Sequence, residues 1–142
     1  MNVMAVVTRK FSISTHAGTD IIDITSSVGA QVRSSGIRSG IAVVFVPGST
    51  AGITTIEYEE GVVKDLGDAV ERVAPSNLPY AHNAKWGDAN GHSHVCSALI
   101  GTSFSVPFVD GELLLGTWQQ IVFLDFDVRS RRREIIVQII GE

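Results

Sequence analysis

Ser103-Phe104-Ser105-Val106-Pro107-Phe108-Val109-Asp110-Gly111-Glu112-Leu113-Leu114-Leu115 is the stretch that sets the fold class. Phe104, Val106 and Phe108 alternate along it, the period of a strand with one buried face. Asp110-Gly111 supplies the residue types that a tight hairpin turn requires, and residues 113–115 begin the return strand. Downstream, residues 121–126 and 134–140 read as a second pair of strands, joined through Val128-Arg129-Ser130-Arg131-Arg132. Upstream, residues 2–15 are rich in Val, Ile, Phe and Thr, and residues 20–25 read as a short strand. Residues 41–46 form a continuous apolar run between Gly40 and Pro47, the pattern of a strand buried on both faces. Residues 53–58 follow as another strand after the turn Pro47-Gly48-Ser49-Thr50.

Helical signals are fewer. Ser26 or Ser27 is suited to cap a short helix that runs from Val28 to near Gly36. Over residues 60–73, Val62, Val63, Leu66, Ala69, Val70 and Val73 share one stripe, with Lys64, Asp65, Asp68 and Glu71 opposite, and Pro75 closes the helix. Residues 76–91 lack periodicity and read as a long loop, of a length that usually serves function. About eight strands and one or two helices predict an α+β fold: a mainly antiparallel, β-sandwich-like single domain spanning residues 1–142.

The composition fits that prediction. A chain of 142 residues is long enough for one domain with its own core. Its net charge of −4 argues against a general nucleic-acid binder, which needs a broad basic surface. No stretch approaches the ~20 apolar residues of a membrane span, and the first ten residues lack the order of a signal peptide. Cys96 is the single cysteine, so no intrachain disulfide forms and a cytoplasmic location is expected. That thiol reads as a small buried apolar group.

Three of the four histidines, His82, His92 and His94, gather around an acidic, glycine-bearing loop with Asp88 and Asn90. In an extended segment His92 and His94, two residues apart, would face one side and could meet one ion or substrate. Imidazole suits zinc and related divalent metals, while Asp88 offers a harder oxygen. The spacing matches no stringent zinc signature, and the residues alone leave two readings open: hydrogen bonding within the loop, or metal and acid–base chemistry. His16 reads as an ordinary strand-end residue. Ser49 and Thr50 could offer hydroxyls to an anion, although the turn is not a phosphate-binding loop. Glu57 is either a general base or part of a solvated strand end with Glu59 and Glu60. Arg129, Arg131, Arg132 and Arg133 read as a solvated turn, with phosphate capture the sharper alternative. Trp118, beside Gln119 and Gln120, suits a core, a pocket or a subunit contact.

Gly48-Ser49-Thr50-Ala51-Gly52-Ile53-Thr54, Tyr80-Ala81-His82-Asn83, Ser93-His94-Val95, Leu115-Gly116-Thr117-Trp118-Gln119-Gln120-Ile121 and the closing Gly141-Glu142 together resemble the YjbQ family over essentially the whole chain. Those proteins are described as secondary thiamine-phosphate synthases. The resemblance implies a homotrimer with a transferase side activity that joins a pyrimidine-methyl diphosphate to a thiazole phosphate. It implies catalytic roles for His82, His94 and Glu57, and substrate contacts from Ser49, Thr50, Trp118 and Gln119. A divalent metal, zinc or magnesium, would be held by His82, His92, His94 and Asp88. Many members have histidine where Gly48 stands and lysine where Cys96 stands, so His92 is expected to replace the lost imidazole. The expected partner is a small, phosphorylated molecule. The alternative is a trimer that binds metal or a small ligand without turning it over, or a histidine loop that serves a subunit contact.

Overall fold

Asp110 and Gly111 take positive φ values of 53° and 77°, so the chain reverses in two residues and Val109 faces Glu112, as Asp-Gly turn chemistry favours. The computed structural model describes residues 3–142. Among them the elements run β1 (Ala5–Ser14), β2 (Asp20–Asp23), α1 (Thr25–Ser34), β3 (Gly40–Phe45), β4 (Ala51–Ile56), α2 (Glu60–Val73), α3 (Ala81–Trp86), α4 (Gly91–Ile100), β5 (Ser103–Val109), β6 (Glu112–Leu113), β7 (Gln120–Asp125) and β8 (Arg132–Gly141). The strand expected over residues 2–15 is thus β1, and Asn2 lies outside the described residues. A five-stranded sheet, ordered β1-β8-β3-β5-β6, faces a three-stranded one, ordered β2-β7-β4. Every pairing is antiparallel. The α+β, two-sheet expectation is met.

Between the sheets lies a core that includes Val44, Phe108, Phe123, Ile135 and Val137, with Val28 and Val32 of α1 joining it. A second apolar cluster lies on the other side of the small sheet, where Val122, Leu124 and Phe126 meet Val63, Leu66 and Val70 of α2. β7 therefore serves both cores, Ile121 and Phe123 facing one and Val122 and Leu124 the other.

That double burial corrects the pairing expected for the last two long strands. β7 pairs with β2 and β4, while β8 pairs with β1 and β3 in the opposite sheet. β7 is apolar on both faces and needs cover on both. β8 alternates, burying Ile135, Val137 and Ile139 while turning Glu134 and Ile140 outward, and fits a sheet with one solvated face. β3 is corrected in the same way: Ala42 and Val44 point inward, but Ile41 and Phe45 stand exposed. Across the large sheet Val6, Ile140, Ile41 and Pro107 align in one outward row.

Four helices form among the described residues instead of one or two. α1 starts earlier than read, so Ser26 and Ser27 lie inside its first turn and Asp23 Oδ1 accepts from the Thr25 amide at 2.9 Å. α2 matches its predicted span. Its cap is Glu59, whose carboxylate accepts from the amides of Gly61 (2.9 Å) and Val62 (2.5 Å), so this residue is structural and not only a solvated strand end. α3 and α4 replace the expected loop and extended segment. α4 lies on β4 through small residues: Ser97 Oγ donates to the Ala51 carbonyl at 2.6 Å, and Ser93 Oγ to that of Phe126.

Candidate functional site

Residues 80–100 fold back on themselves as a helical hairpin. Gly87 ends α3 at φ 73°, the left-handed conformation that suits glycine. Asn83 Oδ1 then accepts from the Gly91 amide at 2.8 Å, and Gly91 lets the two helices close. A Cβ on Gly91 would stand 2.6 Å from Tyr80 Cβ. Tyr80 is itself fixed by its hydroxyl, which donates to the Pro75 carbonyl at 2.7 Å.

This closure brings the His82 and His94 rings to 4.5 Å between centroids, tilted by 57°. Asn90 is best satisfied with its amide nitrogen toward Asp88, at 3.0 and 3.2 Å, and toward His82 Nε2, at 2.9 Å. In that arrangement Nε2 accepts and the ring proton sits on Nδ1. A proton on Nε2 is donated instead to Asp88, 3.1 Å away. His82 is thus oriented by two polar neighbours, and His94 is the imidazole left facing open space.

That space is a hollow of about 310 Å³, lined by His94, Gly48, Ser49, Ala98 and Thr102. The turn on its far wall is held from beneath by a buried ionic group. Arg133 donates through Nε and Nη2 to Asp125 at 2.8 and 3.0 Å, and through Nη2 to Thr50 Oγ1 at 2.8 Å. Thr15 Oγ1 donates to the same carboxylate at 2.8 Å, as does the Asp127 amide at 2.9 Å. Arg131 Nε stands 3.0 Å from Asp127 as an ion pair, without the alignment of a hydrogen bond. Burial pushes the Asp125 carboxyl up, but the bonds from Arg133, Asp127 and Thr15, with the Arg133 charge, outweigh it and hold the group below the usual carboxylate range. Arg133 reads from the sequence as one charge in a solvated turn. The missed signal is its alternation with Ile135 and Val137, which places it on the inward face of β8.

The structure does not bring every expected residue to this hollow. Because α4 is a helix, residues two apart diverge by about 200°. His92 therefore points away from His94 and lies against Tyr80, ring centroids 6.4 Å apart, its Nδ1 buried and unpartnered. The expected replacement of the missing Gly48 imidazole by His92 is not made. Among the described residues no three His, Cys, Asp or Glu side chains converge to hold a metal ion. His82 and Asp88 are both engaged by Asn90, so among the described residues the donors of one chain do not fit a resident zinc or magnesium ion.

Thr50 is buried under its turn, bonded to Arg133, and only Ser49 lines the hollow. Glu57, Trp118 and Gln119 sit elsewhere. Ala51 pairs with Asp125 at one end of the small sheet and Ile56 with Gln120 at the other. Gln119 Nε2 donates to Thr55 Oγ1 at 3.2 Å. At ~3.3 Å per residue, Glu57 and Trp118 lie roughly 20 Å from Ser49 along the strands. Cys96 is buried, and burial pushes its thiol up, which suits the structural role read for it. His16 serves the β1–β2 connection, its amide donating to Asp20 Oδ2 at 2.8 Å.

Two antiparallel sheets, two helices laid over the smaller one, and a paired-histidine hollow at its edge define an α+β domain of one recognisable class. The chain belongs to the YjbQ-like family, described as UPF0047 protein YjbQ-like, whose profile matches residues 9–142. It is 39% identical over 139 residues to a UPF0047 protein of Methanothermobacter thermautotrophicus, covering 98% of this chain and 95% of that one. Identity to a UPF0047 protein of Methanocaldococcus jannaschii is 38% over 134 residues, covering 94% of each. A crystal structure of a YbjQ-like protein of unknown function from Sulfolobus solfataricus superposes with a TM-score of 0.92 at 32% identity, over 99% of this chain and 100% of that one.

No helix among the described residues is long and apolar enough to cross a membrane.

Proposed function

We propose that this chain is a small-metabolite enzyme working at the His82–His94 hollow on a phosphorylated or heterocyclic substrate, with secondary thiamine-phosphate synthase-like transfer among its activities. The observation that carries the reading is the histidine pair: one imidazole oriented by Asp88 and Asn90, the other 4.5 Å away and open to a hollow shared with Ser49. One ring anchored and the other open put an imidazole nitrogen where it can pass a proton to or from a bound substrate. His94 is the group that gives or takes that proton at the substrate, and His82 stabilises the resulting state through Asp88. The Ser49 hydroxyl is placed to meet an anionic oxygen on the opposite wall. In the diphosphate transfer, the carbon–oxygen bond to diphosphate breaks as the thiazole nitrogen bonds to the pyrimidine methylene carbon. A proton from His94 would neutralise the leaving oxygen.

The test is turnover of the two thiamine precursors by untagged protein of measured metal content, compared with His94→Ala and His82→Ala. Loss of an acid–base group predicts a fall of about 10²- to 10⁴-fold for His94→Ala. Equal activity in wild type and His94→Ala sinks the assignment. Phosphate binding with no turnover of either precursor identifies a binding protein instead.

A further inference from the structure

Beneath the Pro47–Thr50 turn, the Arg133 guanidinium is fixed through Nε and Nη2. Both bond Asp125, and Nη2 also bonds Thr50 Oγ1, which uses every proton these nitrogens carry. Nη1, the corner turned away from Asp125, makes no hydrogen bond within the described residues. Unlike Arg9 Nε and Arg131 Nε, it is not sealed from solvent, although Arg133 as a whole is only 9% exposed. Gly48 lies directly over it. A Cβ on Gly48 would stand 3.3 Å from Nη1 and 4.0 Å from Val46 Cγ2, with nothing else within 4 Å. Gly48 also lines the His94 hollow, together with Ser49. Ser49 is exposed, and neither its amide nor that of Thr50 finds a partner among the described residues. Asp125 does not compete for a ligand at Nη1, because its oxygens already accept from Arg133, Thr15 Oγ1 and the Asp127 amide. The turn therefore gathers a guanidinium nitrogen, backbone amides and a hydroxyl, all donors without an acceptor.

We infer that the Gly48 turn is a phosphoryl seat: Arg133 Nη1 binds one oxygen from below, and the Ser49 amide and hydroxyl meet the others. The inference rests on the function proposed above for the hollow and says which end of the substrate lies where. The phosphorylated end sits at Gly48, leaving His94 on the opposite wall for the reacting end. A phosphoryl group offers this set of donors more acceptor oxygens and more charge than a carboxylate does. The guanidinium is already held by buried bonds, so binding orders no long side chain. Glycine at position 48 keeps that nitrogen open, since a side chain there would lie across it. Gly48 is not among the positive-φ glycines, so the turn itself does not demand glycine. Its lack of a side chain serves access to Arg133.

Gly48→Val is the test, because it covers Nη1 without removing any partner of the Arg133–Asp125 pair. Inorganic phosphate, titrated at constant ionic strength into isotope-labelled protein, should shift the Ser49 and Thr50 amide resonances and the Arg133 side chain. Gly48→Val should bind phosphate about 10- to 100-fold more weakly, the loss of one charge-assisted bond, while its urea unfolding stays near wild type. Gly48→Ala, whose methyl only crowds the nitrogen, should fall between the two. If Gly48→Val does not fold, Gly48→Ala carries the test: weaker binding supports the seat and unchanged binding overturns it. Equal phosphate affinity in wild type and a folded Gly48→Val overturns the inference. So does wild type that binds no phosphate, or binding whose shifts fall away from Ser49, Thr50 and Arg133. Gly48-dependent phosphate binding in a protein that turns over neither thiamine precursor removes the proposed function and leaves the seat. Turnover that falls in His94→Ala, with phosphate affinity indifferent to residue 48, removes the seat and leaves the function.

Discussion

Replacing Arg133 with methionine keeps most of the side-chain volume and removes the charge that opposes Asp125. Asp125 is wholly buried and Arg133 nearly so, and the substitution deletes both guanidinium bonds to Asp125 and the bond to Thr50. Breaking one side of a buried ion pair leaves an uncompensated charge, at a cost of about 3–5 kcal/mol. For a chain of this size that lowers Tm by about 10–15 °C. The pH dependence should also weaken. In the wild type Asp125 titrates below its ordinary range, so its contribution is full above ~3.9 and is lost as pH falls through the folded value. In the variant the Arg133 bond and charge are gone, and only the Asp127 amide and Thr15 still oppose burial, so the folded Asp125 value rises. The stability that Asp125 contributes at neutral pH in the wild type is then reduced. Urea unfolding between pH 3 and 7 measures both curves, and the gap between them should widen as pH rises. A loss under about 1 kcal/mol, or parallel pH curves, would refute the claim that this pair is buried and coupled. The same variant releases Thr50 from below, so weaker phosphate binding at the Ser49 hollow should accompany the lost stability.

Two further substitutions probe the helices that shape the site. Gly91→Ala places a methyl within 2.6 Å of Tyr80 Cβ, and the forced separation of α3 from α4 should cost about 1–3 kcal/mol; an unchanged Tm and unchanged His82 and His94 ring resonances would show that the helices do not meet there. Glu59→Ala removes the cap of α2 and should cost about 1 kcal/mol, read by chemical denaturation, with Glu59→Asp losing less; equal stability of Glu59→Ala and wild type would deny the cap its role.

Where the chain has a clear period or a demanding turn, the sequence was enough. Asp110-Gly111 permits few other conformations, and the stripe from Val62 to Val73 spans α2 as read. The failures share a cause. α3 and α4 are short, and α4 buries Gly91, Ser93, Cys96 and Ser97, small and weakly apolar residues that leave no helical stripe to read. An extended segment would turn His92 and His94 to one side, and the helix over residues 91–100 does not. The apolar runs over residues 41–46 and 121–126 look alike by composition, and only tertiary placement shows that the second is covered on both sides and the first on one. That His82, His94 and Asp88 lie close together was legible because one short segment carries all three. Arg133 was missed because its basic neighbours read as a turn, although its alternation with Ile135 and Val137 along β8 marks it as inward-facing.

β7 raises a question of alignment that its apolar neighbours cannot answer. A strand greasy on both sides could slide by one residue against β2 and β4 and still bury nothing but hydrocarbon. Asp125 breaks that degeneracy, because after a one-residue slip its carboxylate would face Leu66 and Val70 instead of Arg133, Thr15 and the Asp127 amide. One buried charge thus stores the registry of the whole small sheet, and with it the position of the Ser49 turn relative to His94.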